Sequence, residues 1–414
     1  MGGRFTVGLF GMYGLYNYGC EAIARGTYQV VKQAWPDSKV ILYTFFPKED
    51  KERIADLDIE LKAIPEKKFK KLRIITNKIL RTLSINKQFS IWDAKKVIAE
   101  CDIVLSVGGD IYTIPLHVLD NKKEKAYNPL VELGKTVVKH RPMIVWGASI
   151  GPFGDNEQIK NYYFDHLKEM SLIVCREGRS YRYLKKNGLQ NTVLYPDPAF
   201  YITSVDVHNI NSGKEKRRIG LNLSPLSLME RMGSDRVLSF QDRIIHLIEE
   251  LCSIPDTEII LVPHVVSPLS EMDNDLLFLE QIYNILPFSI RDRVTLFRNA
   301  SSFLETKRIL KSCDVLIAAR MHCAVNALTE GIPTIILCYS QKGVGMTEFV
   351  YGDTYWAVEV ERMNEEVPRK TIEILSQGNS VTKELRKRMS EIEQEKQKLI
   401  DLLANMKLKK RSLD

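Results

Sequence analysis

Hydrophobic residues occur along this chain in short unbroken runs. Each run is closed by a glycine, a proline or a polar turn, and a longer segment with apolar residues at helical spacing usually follows. Unbroken runs of this length read as strands buried on both faces, the pattern of a parallel sheet. In the first half the predicted strands are 5–10, 40–46, 57–64, 101–107, 143–148, 172–175 and 193–195. Helices are predicted over 20–34, 127–139, 157–170 and 178–187. A polar, aperiodic stretch at 204–218 reads as a linker. The alternation then resumes, with strands at 219–223, 258–262, 294–297, 314–319 and 332–338. The helices of this half are 236–251, 273–285, 301–311 and 323–330. A long charged helix is predicted over 383–408, with Thr382 as its N-cap.

Strand–helix alternation throughout predicts two doubly wound, Rossmann-like α/β domains with a long C-terminal helix, an architecture that looks GT-B-like. The predicted divisions are an N-terminal domain 1–203, taken as the acceptor side, and the linker 204–218. A C-terminal domain 219–378 and a C-terminal helix and basic tail 379–414 complete the chain. In such a pair ligands are expected in the cleft between the domains.

The densest candidate chemistry lies between Cys313 and Gly345. A buried strand at 314–319 runs straight into Arg320, Met321 and His322. A short helix follows and stops at Gly331, then comes the strand 332–338 and a predicted loop of Ser340, Gln341, Lys342 and Gly343. A right-handed β-α-β crossover would place both strand ends on one rim of the sheet, where open α/β sheets bind ligands. Arg320, His322 and Lys342 would then meet beside a helix N-terminus and suit a small polyanion. The alternative is that Arg320 and Lys342 are solvated charges and His322 a helix cap.

Further strand ends carry weaker signals. Gly11, Gly14 and Gly19 are spaced too widely for a dinucleotide fingerprint, but they would let backbone approach a ligand that Asn17 could orient. Gly108 and Gly109 leave room at another strand end, and Asp110 could accept from hydroxyls. Arg176 and Glu177 close a third strand, with Glu177 read as the ion-pair partner of Arg176. Each could equally be a plain turn or surface pair.

The segment 67–87 is basic and amphipathic. Phe69, Leu72, Ile75, Ile79 and Leu83 recur at helical spacing among lysines and arginines. The favoured reading packs that stripe on its own domain; the other lays it on an anionic bilayer.

Composition narrows the rest. The 414 residues are 44% hydrophobic and 27% charged, with a net charge of +7, which suits anionic ligands but is too small to argue for nucleic acid. Seven scattered cysteines form no CxxC pair and no zinc spacing, so buried thiols in a reducing compartment and no metal are expected. No apolar run is long enough to span a bilayer, and no leader is expected at the N-terminus.

The ordered motifs resemble the polysaccharide pyruvyl transferase family. They are NYGCEAIARG (17–26), SVGGD (106–110), WGASIGPF (146–153), CREGRSYRYLKKNGL (175–189), DPAF (197–200) and ARMHCAVNALTEGIPTIILCYSQKGVG (319–345). The resemblance implies transfer of a pyruvyl group from phosphoenolpyruvate to two hydroxyls of a sugar in a cell-surface or exopolysaccharide precursor. A cyclic ketal forms and phosphate leaves. It implies that Arg320 and Arg176 clamp the donor, with Lys342 near the phosphate, and that His322 is the acid–base catalyst. Asn17, Gly19, Gly108, Gly109, Asp110, Glu177 and Gly343 would line the substrate. No cofactor beyond the donor substrate is implied. The expected partners are phosphoenolpyruvate and a glycan or lipid-linked sugar, in the cytoplasm; peripheral contact with an anionic membrane at its inner face belongs to the less favoured reading of 67–87. Two other readings stay open: a GT-B glycosyltransferase using a nucleotide sugar, and a non-catalytic glycan-binding protein.

Overall fold

The computed structural model describes residues 4–83, 89–109, 111–114, 128–202, 216–232, 240–299, 301–339, 341–377 and 379–407. The chain forms two compact units. The first comprises Met1–Gly14, Thr27–Asp197 and Glu395–Asp414, and the second Leu15–Gly26 and Pro198–Gln394. The second unit therefore contains a short piece of the N-terminal sequence, including Asn17 and Gly19.

The sheet of the first unit consists of β1 (Thr6–Phe10), β2 (Lys39–Thr44), β3 (Ile59–Ala63), β4 (Ile103–Val107), β5 (Met143–Ala148), β6 (Leu172–Cys175) and β7 (Thr192–Leu194). Its order is β3-β2-β1-β4-β5-β6-β7, and all pairings are parallel. Every residue of β1, β4, β5 and β6 is buried, as unbroken apolar runs require. β3 reads IELKA and is only half-buried, which fits its place at the edge.

The second sheet holds β8 (Arg217–Asn222), β9 (Thr257–Leu261), β10 (Val294–Leu296), β11 (Val315–Ala318), β12 (Thr334–Cys338) and β13 (Ala357–Glu359). Its order is β10-β9-β8-β11-β12-β13, again parallel throughout. In both sheets the strand order reverses beside the first strand, between β1 and β4 and between β8 and β11. Those two switch points are where doubly wound sheets leave a crevice beyond their strand ends.

Several expectations are corrected. The segment 341–343 is not loop: a helix runs Gln341–Tyr351, because Met346 and Val350, four apart, are both buried. Thr382 is not a cap. The last helix runs Asn379–Ala404, starting early enough to seat Val381 together with Leu385. β13 and the helix Met363–Gln377 were not predicted; the strand is three residues long and the helix carries Pro368 inside it. The predicted linker overlaps 203–215, which lies outside the described residues, and Arg217 and Arg218 already belong to β8. Asp110, Ser340 and the basic tail from 408 also lie outside the described residues.

One core residue of the first unit makes stability depend on pH. His166 is buried, stacks on Tyr112 with ring centroids 6.1 Å apart, and among the described residues neither ring nitrogen has a hydrogen-bond partner. Burial, reinforced by the Lys135 charge, pushes its imidazole down to about 3. The unfolded chain takes up a proton here below its ordinary value near 6.5, and the folded chain refuses it until about 3. This contribution is therefore fully present above pH 6.5 and is lost progressively as pH falls toward 3. His166→Leu is expected to flatten the fall of the melting temperature between pH 7 and pH 4. An unchanged pH profile would show that His166 does not govern it.

Candidate active site

The switch point of the second sheet is built from backbone ends tied together by one amide. Asn222 is the last residue of β8. Its side-chain oxygen accepts from Arg320 N at 2.9 Å, and its Nδ2 donates to Val262 O, just past β9, at 2.9 Å. Three strand ends are thus fixed by a residue with no exposure. Arg320 lies two residues beyond β11 and is the N-cap of the helix Met321–Leu328, so His322 sits in that helix's first turn.

Arg320 is gripped from one side. Its Nε and Nη2 donate to Asp275 Oδ1 at 3.1 and 2.9 Å, and Nη2 also donates to Asp273 Oδ1 at 2.7 Å. Asp275 Oδ2 accepts from the backbone N–H groups of His264 and Val265 at 3.1 and 3.0 Å. Burial acts to lower the Arg320 pKa, but the Asp275 and Asp273 carboxylates reverse this and hold it above its usual range. Burial likewise raises the Asp275 carboxyl, against the pull of Arg320. Two nitrogens of Arg320, the residue expected to clamp a donor, are engaged by carboxylates. Among the described residues Nη1 makes no hydrogen bond, and it is the prong available to an anion.

The N-terminal segment completes this site within the second unit. Residues 16–18 run antiparallel to 264–266: Val266 N donates to Tyr16 O and Tyr18 N to His264 O, both at 3.2 Å. Asn17 then caps the helix Tyr18–Ala34, its Oδ1 accepting from Gly19 N at 3.0 Å. Gly19 is pressed on the imidazole of His322. A β-carbon there would lie 2.5 Å from Nδ1 and 2.8 Å from the His322 Cβ. Any side chain at 19 would drive the ring away. The geometry therefore gives Gly19 the task of seating His322, and Asn17 the task of holding the turn that presents Gly19.

His264 was not singled out from the sequence. It is buried between Tyr18 and Phe303, with edge-on ring contacts at 5.7 and 6.1 Å, and among the described residues its Nε2 has no hydrogen-bond partner. Burial, with the neighbouring His322 and Arg320, holds it well below the ordinary histidine range, so it is neutral. Its signal was present: Pro263-His264 directly follows a buried strand. Asp273 and Asp275 gave a weaker one, as acids at the start of a predicted helix.

Lys342 stands in the first turn of Gln341–Tyr351, past the end of β12, and is half-buried. Gly343 is required by Cys338, whose Sγ would be 2.7 Å from a β-carbon at 343.

In the first unit the predicted residues also gather at the switch point. Gly11 has φ +125° and Gly108 φ +126°, and a β-carbon on Gly11 would lie 2.0 Å from Val107 O. Only glycine allows the ends of β1 and β4 to approach so closely. Arg176, beyond β6, is 1% exposed. Its Nε donates to Ser149 Oγ at 2.8 Å and Nη1 to Asp197 Oδ2 at 2.9 Å. The guanidinium also lies against Gly109, where a β-carbon would be 2.4 Å from Nη1. Arg176 therefore braces the ends of β4, β5, β6 and β7. Its acidic partner is Asp197, not the neighbouring Glu177. Glu177 is the N-cap of the helix Gly178–Lys186, accepting from Arg179 N at 2.7 Å and Ser180 N at 3.0 Å. Two of its own helix's N–H groups outcompete the adjacent guanidinium because they lie within reach without bending the chain.

Comparisons with known proteins agree with this architecture. The chain is similar to the crystal structure of Anabaena Alr3699/HepE in complex with UDP and glucose, with TM-score 0.58 and 13% identity over 97% of this chain and 100% of that one. It is also similar to a glycosyltransferase from Rickettsia africae ESF-5, with TM-score 0.54 and 13% identity over 97% and 98% of the two chains. For S. aureus MnaA in its UDP co-structure the TM-score is 0.55, with 12% identity over 92% and 91%. At these identities the likeness establishes the fold, two Rossmann-like domains of GT-B-like class with a long C-terminal helix. The family model described as Polysaccharide pyruvyl transferase matches residues 17–341, which takes in the switch point of the second sheet and runs from Asn17 past His322. The chain therefore belongs to the polysaccharide pyruvyl transferase family.

Proposed function

We propose that this protein transfers the pyruvyl group of phosphoenolpyruvate to two hydroxyls of a sugar, closing a cyclic ketal and releasing phosphate. The observation that carries this reading is His322, seated on Gly19 in the first turn of a helix, two residues from an arginine held by Asp275. An imidazole near neutral pH can both give and take a proton, and the reaction asks for both.

In this scheme the donor's carboxylate or phosphate meets Arg320 Nη1, the first-turn N–H groups of Met321–Leu328 and Lys342. Imidazolium at His322 protonates the methylene carbon, which becomes the methyl group. One sugar hydroxyl forms a C–O bond to the adjacent carbon and returns its proton to His322. The bond from that carbon to the phosphate oxygen then breaks. The second hydroxyl attacks the same carbon, and its proton leaves with phosphate. Arg176 acts in this scheme as a positioning residue for the glycine turn, since its buried nitrogens already serve Asp197 and Ser149. The acceptor is a glycan or lipid-linked sugar of a cell-surface polysaccharide precursor, and no cofactor enters.

Incubation with isotope-labelled phosphoenolpyruvate and a panel of glycans and lipid-linked sugars tests the reading. Stoichiometric phosphate release with transfer of the labelled three-carbon unit to the sugar is expected. Turnover of a nucleotide sugar with no use of phosphoenolpyruvate would replace it with glycosyl transfer.

A further inference from the structure

The helix Lys70–Thr82 is inside out. Its inward contacts are polar. Asn77 is buried, donating through Nδ2 to Phe89 O and accepting from Phe89 N, both at 2.8 Å. Lys70 lies over the Trp92 ring at 4.5 Å and pairs with Glu66. Arg73 reaches Lys68 O and Ser90 O, each at 3.4 Å.

Its outward face is apolar. Leu72, Ile75 and Ile79 are 61%, 56% and 53% exposed, continued by Phe69 at 77% and Leu83 at 63%. At 100° per residue the four aliphatic residues fall within about 80° of one another. The expectation that this stripe packs on its own domain is thereby corrected: the anchoring amide of Asn77 turns the opposite face inward. Phe69 is held with φ +61°, a conformation that a bulky side chain rarely adopts, and its ring projects into solvent.

Charge selects what covers the stripe. Residues 67–87 contain eight lysines and arginines and no aspartate or glutamate. Lys71 and Lys78 are exposed and border the stripe on one side. A second copy would set this positive surface against itself, whereas an anionic lipid surface matches both the charge and the aliphatic band. No helix among the described residues is long and apolar enough to cross a membrane, so the contact is interfacial. We propose that this helix rests on an anionic bilayer, with Phe69, Leu72, Ile75, Ile79 and Leu83 at the headgroup–acyl boundary and the lysines among the headgroups.

The test is flotation of the full chain with vesicles of phosphatidylcholine alone and of phosphatidylcholine with about one third phosphatidylglycerol. Binding is expected only to the anionic vesicles, falling as salt shortens the Debye length. Lys71→Glu with Lys78→Glu should weaken partitioning by at least about thirtyfold, taking about fivefold per lysine lost. Ile75→Ser with Ile79→Ser should abolish flotation while leaving the melting temperature unchanged, because both side chains are exposed. Equal binding to neutral and anionic vesicles, no binding to either, or undiminished flotation of the serine variant would each overturn the proposal. So would a dimer in solution that the serine variant dissolves, since a second copy would then cover the stripe.

Discussion

His322→Ala is expected to lower pyruvyl transfer by about 10²–10⁴-fold, the range for a general acid–base group. Melting behaviour should change little, because His322 is only half-buried at a helix start. His322→Gln, which keeps a hydrogen bond but exchanges no proton, should be as inactive as alanine. A Gln variant with most of the rate would make His322 a positioning group instead. Gly19 offers a second way to the same conclusion. Gly19→Ala puts a methyl group within 2.5 Å of Nδ1, so the ring must move although the histidine is still present. It should lose activity on the order of 10²-fold by misplacing the group. In His322→Ala the ring atoms are gone and only the Cβ, 2.8 Å from the methyl at 19, is left in its way, so the double variant should be little slower than His322→Ala alone. Additive losses would show that Gly19 acts through something other than the imidazole.

Asp275→Ala is expected to destabilise the second unit by about 3–5 kcal/mol, the effect of removing one partner of a buried pair. Asp275 has no exposure and satisfies two nitrogens of Arg320 and two backbone N–H groups. The alanine variant leaves Arg320 Nε and both backbone N–H groups without this acceptor, and Nη2 with Asp273 alone. Asp273→Ala removes a single 2.7 Å contact from a partly exposed side chain and should lose about 1 kcal/mol or less. Denaturant unfolding of the two variants compares them directly. Equal, small effects would mean that Arg320 is not held from the Asp275 side. Phosphoenolpyruvate affinity should fall with Asp275→Ala as well, because the free Nη1 is aimed only while Nε and Nη2 are fixed.

The strands were legible because a strand buried on both faces must be apolar at every position. Short runs such as 172–175 or 315–318 satisfy that rule locally, whatever surrounds them. The Arg320–His322 placement was legible for the same reason: polar residues directly after such a run sit on the rim. Elements at the margins were less readable. The strand Ala357–Glu359 has three residues, too few for a pattern, and Pro368 hid a helix that neighbouring contacts sustain.

Pairings were another matter. Adjacency suggested Arg176 with Glu177, but a strand-to-helix turn sends successive side chains apart, and Asp197 lies beside the guanidinium across the sheet end. The helix at 70–82 shows the same limit. Its amphipathic spacing was plain, but which face turns inward was not. Hydrophobicity alone favoured the apolar face, and one amide matched to the backbone of Phe89 reversed it.

By itself the sequence determined two parallel α/β sheets, the rim position of Arg320 and His322, and the family. All of these rest on local pattern: apolar run length, turn residues and ordered motifs. Only the tertiary structure decided that Asn17 and Gly19 belong with His322, that Asp275 holds Arg320, and that His264 lies buried beside them. Those contacts join residues far apart in the chain, and they depend on which strand ends become neighbours once the sheet order reverses between β8 and β11.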